Sequence, residues 1–252
     1  MLSKNQLKNI TALHQKKQRE QKQLFIAEGE KLIAELLNSA FEIDQVFAVN
    51  DWIIKNTEIA NKLNVIKIDE NDLKKISLLS TPNKVLAIVR QKKHELIDLH
   101  FKNDLTVYLD DIRDPGNLGT IIRLAHWFGI RQIICSENTV EMYNPKVVQS
   151  TMGSIFHVPI IKMELSDLLK SAPYKLNIYG AYLEGKSIYQ CKINSGLLVI
   201  GNESNGISQS NSQYITDKIF IPSNSFHHAE SLNAAMATGI ILSEHFRTSN
   251  TR

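Results

Sequence analysis

Cysteine is scarce. The 252 residues hold two, Cys135 and Cys191, and they lie too far apart to match a metal-binding or redox spacing. Both read as small core residues in a reducing cytoplasm. Long apolar runs are also missing. No stretch approaches the roughly 20 residues needed to cross a bilayer, so no membrane partner is expected. The opening Met-Leu-Ser-Lys-Asn-Gln has no apolar h-region, the mark of a secretory signal. Two nucleotide signatures are absent as well. Gly201-Asn-Glu-Ser-Asn-Gly206 is followed by Ile207, where a Walker loop needs lysine, and no G-x-G-x-x-G occurs. Nucleoside triphosphates are thereby excluded, and dinucleotide binding is unsupported. His227-His228 with Glu230 lack a third ligand at suitable spacing, so no metal site is expected.

What is present is an ordinary globular composition, 43% hydrophobic and 22% charged. The net charge of +3 is unevenly spread. Residues 1–95 carry 16 Lys/Arg against 12 Asp/Glu, and residues 96–252 carry 13 against 14. The first 31 residues alone hold 7 basic and 3 acidic side chains. A basic surface confined to one part of a chain is an electrostatic footprint for a polyanion; a solvated helix face is the plainer alternative.

The apolar pattern alternates between strand and helix, which predicts an α/β protein. Residues 1–20 read as one amphipathic helix with a basic face. A strand over 24–27, a helix over 30–37, a strand over 45–49, a helix over 52–63, a strand over 65–68, a helix over 69–76 and a strand over 85–89 follow. The polar stretch 90–104 contains a linker, placed at 96–104, between a module of residues 1–95 and another of 105–252. The second module reads as strands at 105–109, 132–135, 156–161, 176–182, 197–200 and 218–221. Its helices fall at 118–128, after Pro145, around 165–170 and from Ser231 to about Phe246. Leu232, Ala235, Met236, Gly239 and Ile240 are expected to face the core from that last helix.

Three polar, glycine-bearing or polar-capped segments follow strands of the second module. They are Asp114-Pro-Gly-Asn-Leu-Gly-Thr-Ile-Ile-Arg123, Gly201-Asn-Glu-Ser-Asn-Gly206 and Ser231-Leu-Asn233. In a mostly parallel sheet, ligands bind outside the carboxyl ends of the strands, so the three point to one site. Asn117 suits a helix N-cap, and Ser231 suits the cap of the last helix. Arg123 sits in an apolar helix one turn after Gly119. It can reach a phosphate or carboxylate in a bidentate way; a structural ion pair is the alternative. Glu203 between two glycines reads either as a site residue or as a solvated loop residue.

Together the three segments resemble the SpoU/TrmH family of SPOUT methyltransferases. The first motif is similar to Asn117-x-Gly119 through Arg123 to Phe128-Gly129. The second is similar to Gly201-Asn202-Glu203 with Gly206, and the third to Ile221-Pro222 followed by Ser231-Leu232-Asn233. Lys16-Lys17-x-Arg19, Phe25-Ile-Ala-Glu28-Gly29-Glu-Lys31 and Ser80-Thr81-Pro82 resemble the family's accessory RNA-binding module. Asn83-Lys84, Ala234 and Trp127 depart from common family residues.

The resemblance implies a C-terminal SPOUT domain with a trefoil knot, a small N-terminal α/β RNA-binding domain, and homodimers joined through the catalytic domain. It implies transfer of a methyl group from S-adenosyl-L-methionine to a ribose 2′-hydroxyl of structured RNA, ribosomal RNA ahead of transfer RNA. It assigns chemistry to Arg123, Asn117, Glu203, Ser231 and Asn233. Cofactor contacts fall to Gly201, Asn202, Ile221, Leu232 and Ser231, and RNA contacts to Lys16, Lys17, Arg19, Glu28 and Arg123. A transfer-RNA ribose methyltransferase, a base-methylating relative and a non-catalytic RNA-binding protein are the rival readings. Arginine stays protonated in proteins, so Arg123 is expected to act as a clamp and electrostatic aid rather than as a base.

Overall fold

Residue Phe25, predicted to lie in a strand, stacks on Tyr143 with ring centroids 4.4 Å apart, although 118 positions separate them. The computed structural model describes residues 2–97, 101, 103–172, 175–224 and 231–249. It divides into two compact units, one formed by 1–93 with 141–157 and the other by 94–140 with 158–252.

In the first unit the predicted single helix over residues 1–20 is two helices, α1 (Lys4–Ala12) and α2 (Lys16–Lys22). Ser3 and Gln6 close α1 with a reciprocal capping box. Gln15 leaves the helical region, with ψ 133°. The carbonyls freed at the break, those of Leu13 and His14, both accept from the Arg19 guanidinium at 2.9 Å. Helix periodicity continued through this point; the buried arginine makes the break tolerable by satisfying those acceptors.

The chain continues as β1 (Leu24–Glu28), α3 (Glu30–Leu37), β2 (Ile43–Ala48), α4 (Asn50–Lys55), α5 (Thr57–Lys62), β3 (Ile66–Lys67), α6 (Glu70–Ile76) and β4 (Val85–Arg90). The helix expected over 52–63 is split at Asn56, whose Nδ2 donates to the Trp52 carbonyl at 2.9 Å. The strands form a sheet in the order β1-β4-β2-β3, antiparallel except for β2 with β3. Later in sequence, α8 (Pro145–Ser150) and a 3-10 turn at Ser154–Phe156 pack into this unit. Phe25, Phe41, Tyr143 and Phe156 form its aromatic core.

The second unit contains β5 (Leu105–Leu109), α7 (Pro115–Trp127), β6 (Ile133–Cys135), β7 (Ile160–Lys162), α9 (Leu165–Ser171), β8 (Ile178–Ser187), β9 (Gly196–Ile200), α10 (Gln209–Ser212), β10 (Asp217–Phe220) and α11 (Ala234–Ser249). All six strands are parallel, in the order β10-β8-β9-β5-β6-β7. Every residue of β5 and β9 is buried, as expected for central parallel strands covered on both faces. Tyr108, Ile134, Leu165, Leu168, Ile178 and Val199 make one contiguous part of the core. The strand expected over 156–161 begins only at Ile160, because the 3-10 turn takes residues 154–156.

The last helix differs from expectation in its facing. Ala234, Ala235, Thr238, Ile241 and Leu242 are buried, whereas Met236 is 61% exposed and Leu232 50%. The buried stripe is rotated by about one position, since small residues rather than the larger Leu232 and Met236 meet the neighbouring helix. Gly239 allows that approach: a Cβ there would lie 3.3 Å from Leu124 of α7.

Candidate active site

Strands β5 and β9 are neighbours in register, with Leu109 opposite Ile200. The segments that follow them therefore leave the sheet side by side at its carboxyl edge. Asp110 is buried there, and its carboxylate accepts the Ser208 N–H at 2.8 Å. Asp111 adopts φ +58°, a left-handed conformation that aspartate tolerates better than most residues. Its carbonyl accepts Asn202 Nδ2 at 2.8 Å.

Helix α7 starts three residues earlier than the apolar pattern predicts. Asp114, not Asn117, is its N-cap, with the carboxylate accepting the Asn117 N–H at 2.8 Å and Pro115 in the first turn. Asn117 is thus released from capping. Its side chain, on a residue only 8% exposed, faces the other two motifs.

Two hydrogen bonds join the three motifs. Asn233 Oδ1 accepts the N–H groups of Ala235 at 2.9 Å and Met236 at 3.3 Å, so Asn233, not Ser231, caps α11. That cap orients the amide and turns Nδ2 to Asn117 Oδ1 at 2.8 Å. Asn117 must then present Nδ2 to the Glu203 carboxylate, which it does at 2.5 Å. The direction of every donor in the chain follows from the helix cap, and Glu203 stands at its end as the acceptor.

The loop bearing Glu203 is itself fixed. Asn202 is buried; its Oδ1 accepts the N–H groups of Ser204 at 2.9 Å and Asn205 at 3.1 Å. Its side chain is committed to the loop rather than open to a ligand. Backbone bonds between Asn202 and Gly206 close the turn. A side chain at Gly201 would place Cβ 2.2 Å from the Gly206 carbonyl carbon, so this position requires glycine.

Arg123 lies on α7, exposed, with no hydrogen-bond or ion-pair partner among the described residues. Ser231 is exposed and makes no hydrogen bond among the described residues. Leu232 is half exposed, and its backbone N–H and C=O have no partner among them. Ile221 follows β10 and is partly buried. His227, His228 and Glu230 lie outside the described residues.

The residues expected to contact RNA separate into two kinds. Lys16 and Lys17 are exposed, Lys16 sharing only a loose 3.6 Å pair with Glu20. Arg19 is 2% exposed and engages Glu141 through Nε at 2.9 Å and Nη2 at 2.5 Å, besides the two carbonyls at the helix break. Glu28 is buried and accepts from Ser77 Oγ at 2.6 Å and from the Asn83 N–H at 3.2 Å. Burial pushes its carboxyl up, and those hydrogen bonds only partly offset it. The Arg19 and Glu28 side chains are both buried and committed to partners inside the unit. Sequence reasoning passed over Asp111 and Asp114, whose signal was their place between a strand end and a Pro-Gly turn.

Residues 104–243, more than half of the chain, match the family described as the SpoU rRNA methylase family. The chain belongs to the SpoU rRNA methylase family. Members carry S-adenosyl-L-methionine-dependent methyl transfer to an RNA ribose hydroxyl, and this chain is such an enzyme. Residues 4–87 match the MRM3-like substrate binding domain. A 23S rRNA (guanosine(2553)-2′-O)-methyltransferase of Bacillus subtilis is 28% identical over 246 residues, covering 95% of this chain and 96% of the relative. A TrmH-family protein of Porphyromonas gingivalis superposes with TM-score 0.87 at 33% identity, covering 98% of this chain and 99% of the other. An AdoMet-bound rRNA methyltransferase of Sinorhizobium meliloti gives 0.86 at 30% identity, covering 98% and 96%.

Proposed function

We propose that this SpoU-family enzyme methylates a 2′-hydroxyl of ribosomal RNA in the cytoplasm and acts as a homodimer. The observation that carries the catalytic part is the hydrogen-bonded union of Asn117, Glu203 and Asn233 in the unit that also carries Arg123, which has no partner among the described residues. Ribosomal rather than transfer RNA is supported by the relative of nearly equal length, which acts on 23S rRNA.

The residues present fit the cofactor. A glycine that no side chain can replace, and a half-exposed Leu232 whose backbone groups have no partner among the described residues, suit a ligand with an apolar ring and a polar edge. Gly201, Ile221 and Leu232 would hold it largely through backbone, with Ser231 at the margin and Asn202 shaping the loop. Bound there, S-adenosyl-L-methionine supplies a methyl group already activated by a sulfonium.

The chain's own work is alignment and charge. Correct positioning of reacting groups contributes about 7–11 kcal/mol to such reactions. Arg123 clamps the target nucleotide and stabilises negative charge growing on the ribose oxygen. Glu203, held by Asn117 and Asn202, and Asn233 order the site. RNA binding falls to Lys16 and Lys17 on α2.

Leu124 of α7 and Phe128 at its end, with Met236, Gly239 and Ile240 of α11, line an open apolar groove, and we assign it to the dimer contact. We also keep the sequence modules 1–95 and 105–252, joined by 96–104, and the trefoil knot as parts of this reading. Ribose-methylation maps of RNA from cells with and without the protein test the proposal. Loss of one ribosomal mark is expected; loss confined to transfer RNA would overturn the substrate.

A further inference from the structure

We infer that Trp127 is a stacking platform for a base of the substrate RNA, next to the nucleotide that Arg123 engages. This rests on the proposed function. At 83% exposure Trp127 is the most exposed large apolar side chain among the described residues. It lies four positions after Arg123 on α7, so the two share a helix face with Cβ atoms about 5–6 Å apart.

The aromatic residue that follows behaves differently. Phe128 packs on Phe246 with centroids 6.0 Å apart, and with Leu124 it turns to the groove against α11. Trp127 is on the arginine side of that line and does not line the groove.

What would cover this face is decided by its charge. An apolar protein surface laid over Trp127 would also desolvate Arg123 and leave a buried cation unpaired, which is strongly unfavourable. Single-stranded nucleic acid offers phosphate acceptors for the guanidinium and a π-face for the indole. Cation plus aromatic is the recurrent means of gripping unpaired nucleotides. The base that stacks need not have a particular identity, since every base presents a face.

The test uses the full chain. Trp52 is 3% exposed and is the other tryptophan. In Trp52→Phe, the emission therefore reports Trp127 alone. Titration with a short single-stranded RNA, without cofactor, should quench that emission and shield it from acrylamide. Independently, steady-state methyl transfer to an rRNA transcript should show KM raised about tenfold in Trp127→Ala, within the range expected for loss of one stacked base. kcat should stay within about twofold, and Trp127→Tyr should restore most of the KM. An unchanged KM with no quenching overturns the inference. So does a Trp127→Ala protein that sediments as monomer with normal KM, which would make this a protein contact. If the wild-type enzyme methylates no RNA, the proposed function fails instead, and the quenching arm still reads the platform.

Discussion

Asn117 Oδ1 accepts a hydrogen bond from Asn233 Nδ2 at 2.8 Å across 116 positions of sequence. The other half of the same amide donates to Glu203. Asn117 therefore uses both ends to hold two motifs, and neither end can be reversed without breaking both bonds. Asn117→Asp replaces the donor with a second carboxylate beside Glu203. We expect it to cost about 1–3 kcal/mol of stability, as loss of a buried hydrogen-bond partner does, and to depress turnover more than cofactor affinity. Thermal melting with calorimetry of cofactor binding checks both; an unperturbed enzyme would mean the network is incidental.

Arg123 makes no hydrogen bond or ion pair among the described residues. Arg123→Ala should fold and bind S-adenosyl-L-methionine normally while methyl transfer falls about 100- to 1000-fold, the usual loss for removing one transition-state donor. Arg123→Lys should recover little, because a point charge does not replace a planar fork. Single-turnover kinetics with isothermal titration separates the two properties.

Arg19 and Glu141 form a buried pair, the arginine 2% and the glutamate 14% exposed at the side chain. Removing one partner of such a pair costs about 3–5 kcal/mol. Arg19→Ala should lower the melting point sharply, and Arg19→Met with Glu141→Leu should recover much of it. RNA affinity per folded molecule should change little in either. Lys16→Glu with Lys17→Glu should do the reverse, leaving stability near normal while weakening RNA binding and flattening its salt dependence.

Glu28 gives a pH signature. Its carboxyl is raised by burial, so the folded chain holds this proton more tightly than the unfolded chain. The associated stability is present below the ordinary carboxylate range and lost as pH rises through the raised value. Glu28→Gln keeps an acceptor for Ser77 and the Asn83 N–H but cannot ionise. It should melt above wild type at about pH 8, with the gap closing towards about pH 4. Equal melting points at both would contradict the assignment.

Much of this was legible before any coordinates. Strand β5 and helix α3 fall where the apolar pattern put them, and the three polar segments do follow strand ends of one parallel sheet. The errors share a cause. Periodicity reports which residues are apolar, not which carbonyls are satisfied, so the breaks at Leu13–Gln15 and Asn56 were invisible. It also misses capping by neighbours: Asp114 and Asn233 took roles that suited Asn117 and Ser231 equally well on residue type. Arg19 looked like a basic surface residue because its partner, Glu141, is more than a hundred positions away. The facing of α11 turned on small residues, whose weak apolar signal was overshadowed by Leu232 and Met236.

The central claim is methyl transfer to ribose oxygen. Purified protein, methyl-labelled S-adenosyl-L-methionine and unmodified ribosomal RNA should be incubated together, and the RNA digested to nucleosides for mass spectrometry. The account predicts one labelled nucleoside whose methyl group stays with the sugar when the glycosidic bond is broken. Label that stays with the base, or no label with wild-type enzyme on either ribosomal or transfer RNA, would contradict it.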